Sequence, residues 1–86
     1  MEFEFDSAKS MSNLEKHGIS FDSAKQLWRD PRVLILEARL NVEPRWVAVG
    51  SIGKKHWSAI FTYRSDRVRI ISVRRSRSRE VALYES

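Results

Sequence analysis

The sequence predicts an α+β fold, in which two N-terminal helices pack on a mainly antiparallel meander of strands and a short helix follows at the C-terminus. Two observations lead to this prediction. Apolar side chains between residues 7 and 29 recur at the three- and four-residue spacing of helices. Residues 32–74 instead contain short runs rich in β-branched and aromatic side chains, separated by turn residues. Helices that precede consecutive strands are typical of two-layer α+β domains.

The N-terminal segment begins with a short strand and continues into a helix. Residues 1–5 alternate Phe with Glu, which is the period of a strand with one buried face. Asp6 is suited to cap a helix over residues 7–17, and Gly18 is suited to end it in the left-handed conformation. The apolar face predicted for this helix consists of Ala8, Met11 and Leu14.

A second helix is predicted over residues 21–29. Ser20 is suited to cap its first turn, and Asp30 stands before Pro31, a position that disfavours helical backbone. The apolar face predicted for this helix consists of Phe21, Ala24, Leu27 and Trp28.

Four strands and a final helix complete the prediction. The strands are expected over residues 32–40, 45–51, 56–63 and 68–74. Residues 41–44, 52–55 and 64–67 have the composition of turns. Residues 77–85 have a weak helical pattern that includes Val81 and Tyr84.

Length and composition limit the class of protein. A chain of 86 residues suits one domain, residues 1–86, with one core. It contains no cysteine, which removes disulfides, thiolate nucleophiles and thiolate metal ligands. No apolar run approaches the roughly 20 residues that span a membrane, and the N-terminus lacks the pattern of a signal peptide. We therefore expect a cytoplasmic protein that does not enter membranes.

Positive charge is concentrated in the second half of the chain. Residues 1–43 contain six basic and eight acidic residues, a net charge of −2, whereas residues 44–86 contain ten and three, a net charge of +7. Eleven of the sixteen basic residues are arginine, whose planar guanidinium group matches pairs of phosphate oxygens. This distribution indicates a nucleic-acid partner, and a basic surface that is merely solvated is the alternative.

The densest cluster of arginines lies in the last third of the chain. Strict alternation along the strand would place Arg69 and Arg75 on one face and Arg74 on the other. In the RNA cleavage that the family resemblance given below implies, fixed guanidinium groups would stabilise the charge of a phosphorane, although they remain protonated and cannot act as bases. The arginines assigned to this catalytic role are Arg64, Arg69, Arg74 and Arg75. Further RNA contacts are expected from Arg67 and Arg77, and a solvated charge at a strand edge is the alternative for each arginine.

His17 and His56 are the only side chains whose unperturbed pKa suits proton transfer near neutral pH. Both are candidates for the catalytic group; the alternative for His17 is a histidine that interacts with the last carbonyl groups of its helix, and the alternative for His56 is an ordinary exposed histidine. Lys16 is expected to bind phosphate or to be an ordinary helix-end cation. Trp57 and Tyr84 are expected to contact RNA, or else to belong to the core.

Metal and cofactor chemistry have little support in the sequence. Two histidines, no cysteine and scattered acidic residues suggest no ligand cluster, so we predict no metal and no cofactor. The chain also lacks the G-x-S-x-G turn of serine hydrolases and the phosphate-binding P-loop.

Four segments of the chain resemble the BrnT family. They are F-D-S-A-K at residues 5–9, K-H-G-I-S-F at 16–21, E-P-R-W-V-A-V-G at 43–50 and R-I-I-S-V-R-R at 69–75. The resemblance extends from about Phe3 to Tyr84, implies a fold similar to that of RelE toxins, and favours His17 because of the K-H-G stretch. The chain departs from the family pattern at Trp28, where a smaller aromatic is usual, and at Val73 and Ser76, which replace alanines.

The resemblance implies a function and a partner. BrnT proteins are ribonuclease toxins of bacterial type II toxin–antitoxin pairs, so the chain is expected to cleave RNA and slow translation. The family also implies a cognate BrnA-like antitoxin with a ribbon-helix-helix part that binds operator DNA, and a heterotetramer of toxin and antitoxin. The resulting prediction is a metal-independent endoribonuclease that the antitoxin neutralises. A non-catalytic RNA-binding module and a protein-interaction domain with the same basic face are the alternatives.

Overall fold

A computed structural model describes residues 1–38 and 42–86 of the chain. Its elements are β1 (Glu2–Glu4), α1 (Ser7–His17), α2 (Phe21–Ala24), a 3₁₀ helix (Lys25–Arg29), β2 (Leu34–Ala38), β3 (Arg45–Ile52), β4 (Lys55–Arg64), β5 (Arg67–Arg75) and α3 (Ser78–Glu85). The order of the strands and the positions of α1 and α3 are as predicted, whereas the second predicted helix is α-helical over only four residues. The end of the predicted strand over residues 32–40 and the start of the turn over residues 41–44 lie outside the described residues.

The strands form one five-stranded sheet in the order β1-β5-β4-β3-β2. Strands β2 to β5 form the predicted antiparallel meander. Strand β1 joins the sheet beside β5 and runs parallel to it, so the sheet is mixed. The N-terminal and C-terminal strands are therefore neighbours, which places the first residues of the chain beside the arginines of β5.

The first helix has the predicted bounds and caps. The carboxylate of Asp6 accepts hydrogen bonds from the backbone N–H groups of Ala8 and Lys9, at 2.8 and 3.2 Å. Gly18 ends the helix in the left-handed conformation, with φ of 82°. These local signals are strong because each satisfies backbone groups that a helix end leaves unpaired.

The second predicted helix is α-helical only in part. Residues 21–24 form one α-helical turn, and residues 25–29 continue as a 3₁₀ helix. Ala24 and Leu27, which are three positions apart, are both fully buried. A helix with three residues per turn brings such a pair onto one line, so the tighter winding fits the burial of both side chains.

Side chains from the helices and one face of the sheet form the core. The sheet contributes mainly alternating residues of β4 and β5, and the helical segment contributes Phe21, Ala24 and Leu27. Phe21 and Phe61 are the largest of the fully buried side chains. The opposite face of the sheet is thereby left to α3 and to solvent.

The predicted apolar face of α1 is wrong. Met11 is 69% exposed and Leu14 is 49% exposed, whereas Ser10 and Asn13 are buried. Asn13 accepts a hydrogen bond from the N–H of Val73 at 3.1 Å and donates one to its carbonyl at 2.9 Å. Strand β1 pairs with β5 only as far as residue 69, so Asn13 satisfies backbone groups on an edge that no strand among the described residues covers.

A β-bulge interrupts the regular alternation of β5. The pairing of β4 with β5 shifts between Ile60 and Phe61, and Ile71 is left without a partner in β4. One extra residue in a strand reverses the alternation of side chains beyond it. Ile70 and Val73 are therefore both buried, although they are three positions apart.

Candidate nucleic-acid interface

Four arginines of β4 and β5 lie on the face of the sheet opposite to α1 and α2. The register pairs Arg67 with Arg64 and, beyond the bulge, Arg74 with Ser58, while Arg69 stands two positions after Arg67. Side chains that pair across a ladder project to the same face, and alternate residues of one strand do so too. We call this surface the arginine face; its members are Arg64, Arg67, Arg69 and Arg74.

The floor of the arginine face is apolar and only half-buried. Leu36, Val47, Ile60 and Ser72 are successive partners across β2, β3, β4 and β5, so they form one row on this face. All four have intermediate exposure. Bases can pack on an apolar floor while guanidinium groups contact phosphates, so the surface suits single-stranded RNA.

Two arginines of this face hold carboxylates from β1. Arg69 Nη1 donates to Glu4 Oε2 at 2.9 Å, and Arg67 Nε lies 3.4 Å from Glu2 Oε1. Arg64 stands directly opposite Arg67 and has no ion pair within the described part of the chain. Arg64 is therefore the arginine of this end that is not held by a carboxylate of β1.

Arg74 is fixed by Glu80 of α3 in a two-point ion pair. Its Nη1 and Nη2 donate to the two carboxylate oxygens at 2.8 and 2.9 Å. Glu80 also accepts from the hydroxyl of Ser58 at 2.9 Å and from the backbone N–H of Arg77 at 2.8 Å. The hydrogen bonds from Arg74 lower the pKa of Glu80 from 4.5 to about 2, against the raising effect of burial. Glu80 is therefore ionised at neutral pH and anchors α3 to the sheet.

The prediction that Arg69 and Arg75 share a face is wrong. The bulge at Ile71 reverses the alternation, so Arg74 is the residue that joins Arg69. Arg75 pairs with Trp57 on the other face, and its guanidinium carbon lies 5.5 Å from the centroid of the Trp57 ring. Arg75 is exposed at the end of β5. Because it projects from the other side of the sheet, the sheet separates it from the arginine face.

His17 and Lys16 are exposed at the end of α1, beside the edge of β5. They line a pocket of about 230 Å³ to which Ser72 also contributes. Ser72 belongs to the floor row of the arginine face, so this pocket adjoins that face across the edge of β5. His56 lies elsewhere and packs edge-on against Tyr84, with ring centroids 5.3 Å apart.

The remaining predicted RNA contacts are at the end of the sheet near α3. Tyr84 is 9% exposed, and its hydroxyl donates to Asp30 Oδ2 at 2.5 Å, a hydrogen bond that raises the pKa of Tyr84. Trp57 is 7% exposed. Their contacts with RNA stay predictions, and little of either ring is accessible. Arg77 is exposed where α3 begins.

The carboxylates that hold these arginines were not identified from the sequence. Glu4 lies 65 positions from Arg69 along the chain, and only the parallel pairing of β1 with β5 brings the two together. Glu80 had a usable signal, because it stands three positions after the residue that caps α3.

Within residues 1–38 and 42–86, no three His, Asp or Glu side chains are grouped so that they could hold a metal ion. No helix of these residues is long and apolar enough to cross a membrane.

The chain matches the model of a known protein family. A family model described as the ribonuclease toxin BrnT of type II toxin–antitoxin systems matches residues 5–80. The matched region contains α1, the whole of β2 to β5 and Glu80. No curated protein matches the chain.

Proposed function

The chain belongs to the BrnT family of ribonuclease toxins from type II toxin–antitoxin systems, and on this basis we propose that it is a metal-independent endoribonuclease with a RelE-like fold. An antitoxin partner and an RNA substrate follow from membership of the family. The proposal adds where RNA binds and which side chains act on it. We also propose that residues 1–86 form one domain.

The observation that carries the proposal is the arginine face. Four guanidinium groups border a half-buried apolar floor on an open side of the sheet. Two of them, Arg69 and Arg74, donate hydrogen bonds to carboxylates, and such bonds restrict the orientation of a guanidinium group. Fixed donors of this kind stabilise developing charge without having to reorganise during the reaction.

The reaction we propose uses the 2′-hydroxyl of RNA as the nucleophile. The O2′–P bond forms as the P–O5′ bond breaks, one group accepts the proton of the 2′-hydroxyl, and another protonates the leaving 5′-oxygen. The phosphorane between these steps carries additional negative charge. Arg64, Arg69 and Arg74 stabilise that charge, and Arg67 binds a neighbouring phosphate.

We propose that His17 transfers a proton in this reaction. Histidine is the side-chain type that most often transfers protons at neutral pH, and the pocket of His17 adjoins the arginine face through Ser72. Lys16 binds phosphate beside it. Arg75 and Arg77 contact RNA that continues past the end of the sheet, because both are exposed there.

The cellular role we propose is growth arrest in the cytoplasm through RNA cleavage that inhibits translation. A BrnA-like antitoxin with a ribbon-helix-helix part neutralises the toxin, in a heterotetramer that binds operator DNA through the antitoxin. Expression of the chain without an antitoxin is therefore expected to stop growth. Normal growth at a high level of intact protein would contradict this expectation.

The test of the activity is cleavage of single-stranded RNA by purified protein in EDTA. We compare the wild type with His17→Ala and Arg64→Gln, two exposed positions that take part in no ion pair within the described residues. Loss of a proton-transfer group reduces the rate by about 10²–10⁴-fold. Loss of one charge-stabilising donor reduces it by about 10²–10³-fold.

The matched control is Arg29→Gln, an exposed arginine on the helical side of the molecule. It removes the same charge without touching the arginine face, so its rate should equal that of the wild type. RNA binding without cleavage by the wild type would favour a non-catalytic RNA-binding module. Equal cleavage rates for the wild type and both site variants would show that the active site lies elsewhere on the molecule.

A further inference from the structure

The pocket between α1 and β5 has the composition of an anion site. One row of α1 side chains and the bulged part of β5 form its walls, and Phe21 closes its base. Lys9, Lys16 and His17 supply nitrogen donors, and Ser12 and Ser72 supply hydroxyl groups. No carboxylate belongs to the lining.

The helix periodicity places the two lysines on one side of α1. Lys9 and Lys16 are seven positions apart, which is about 10 Å along the axis and close to two full turns. Ser12 and Asn13 lie between them on the same side. Neither lysine forms an ion pair with any residue among 1–38 and 42–86. The two ammonium groups can therefore turn toward one ligand from opposite ends of the pocket.

The size and surroundings of the pocket favour phosphate. A volume of about 230 Å³ is below the roughly 300–1,000 Å³ of clefts that enclose drug-sized ligands. Asn13 is unavailable as a ligand, because its amide group is bonded to Val73 and to the carbonyl of Ile19. The free donors are therefore ammonium, imidazole and hydroxyl groups, which suit the oxygens of a single phosphate.

We infer that this pocket binds an RNA phosphate next to the one that is cleaved, held by Lys9, Lys16, Ser12 and Ser72. The inference rests on the proposed function for the identity of the substrate. Ser72 belongs both to the pocket and to the floor of the arginine face. A single-stranded RNA bound on that face therefore reaches the pocket by crossing the edge of β5. His17 lines the same pocket and therefore lies beside the bound phosphate. The bulge at Ile71 shapes this crossing, because it lies in the wall of the pocket.

The experiment measures binding of a 2′-O-methyl RNA oligonucleotide, which lacks the nucleophile and stays intact. Fluorescence anisotropy over a series of salt concentrations compares the wild type with a Lys9→Gln, Lys16→Gln double variant. The control is the Lys54→Gln, Lys55→Gln double variant, which removes two exposed lysines where β3 turns into β4. We expect the pocket variant to bind at least about tenfold more weakly, because the loss of even one of its two charge-assisted contacts has that effect. Its slope of log K against log salt should fall in magnitude by about 0.7, the value for one phosphate of a single strand.

A second measurement locates the ligand directly. Inorganic phosphate should shift the NMR resonances of the His17 ring and the backbone amide of Ser72 in the wild type but not in the pocket variant. Unchanged RNA affinity of the pocket variant, or an equal loss in the control variant, would overturn the inference. The inference would also be overturned if an acidic peptide shifts these resonances and phosphate does not.

Cleavage assays on the same proteins separate this inference from the proposed function. A wild type that cleaves RNA together with a pocket variant of unchanged affinity refutes the pocket and leaves the ribonuclease in place. A wild type that binds but never cleaves, together with a pocket variant of reduced affinity, refutes the ribonuclease and supports the pocket.

Discussion

Replacement of Glu80 by Gln tests how α3 and Arg74 are held. The substitution keeps the size of the side chain and removes the charge that Arg74 binds at 2.8 Å. The fall of the Glu80 pKa from 4.5 to about 2 corresponds to about 3 kcal/mol of stability at neutral pH, at about 1.4 kcal/mol for each pKa unit. The side chain is only 14% exposed, so solvent screens this interaction little.

The pH dependence has a definite sign. A carboxyl group whose pKa is lower in the folded chain stabilises the fold above its unfolded pKa, and this contribution is lost as the pH falls toward the folded value. The difference in free energy of unfolding between the wild type and Glu80→Gln should therefore be about 3 kcal/mol at pH 7 and about 1.5 kcal/mol at pH 3. Urea denaturation followed by tryptophan fluorescence at the two pH values measures it.

The control for this prediction is Glu85→Gln on the same helix. The side chain of Glu85 is 58% exposed and lies 3.5 Å from His56. Exposed pairs of this kind contribute little, so the control should change the free energy of unfolding by less than about 0.5 kcal/mol. A loss below about 1 kcal/mol for Glu80→Gln at pH 7 would refute the reasoning. So would a loss that is equal at pH 7 and pH 3.

Three further substitutions test the packing around the site by chemical denaturation. Asn13→Ala leaves the N–H and carbonyl of Val73 without their partners and should cost about 3 kcal/mol, and a loss under about 1 kcal/mol would show that water replaces the amide. Gly50→Ala places a Cβ 3.1 Å from a methyl group of Leu27 and 3.2 Å from an oxygen of Asp30, so it should cost about 1–3 kcal/mol, and an unchanged midpoint would contradict the close approach. Tyr84→Phe removes a hydrogen bond to a carboxylate and should cost about 1.5 kcal/mol, with a neutral effect counting against that bond.

The sequence was sufficient for the order of the strands and for the bounds of α1 because those signals are local. Asp6 and Gly18 mark α1 through backbone groups within one turn of themselves. The partnership of β1 with β5 was not predictable in this way, since three residues of alternating Phe and Glu do not specify a neighbour or a direction. It is this partnership that supplies Glu2 and Glu4 to the arginine face.

Two errors in the predicted site have the same physical origin. A prediction from residue spacing assumes either a strand without interruption or a helix whose buried face is apolar. The bulge at Ile71 adds one residue to the count and exchanges the positions expected for Arg74 and Arg75. The edge of β5 beyond β1 needs hydrogen bonds, so α1 buries Asn13 there and exposes Met11. In both cases backbone pairing decides which side chains share a surface.

The most direct test of the account is to observe which arginines contact RNA. NMR spectra of the arginine Nε–Hε groups would be recorded with and without a 2′-O-methyl RNA oligonucleotide. The account predicts shifts for the four members of the arginine face and none for Arg29, on the helical side of the molecule. Shifts confined to Arg29 and its surroundings, with the arginine face unchanged, would contradict it.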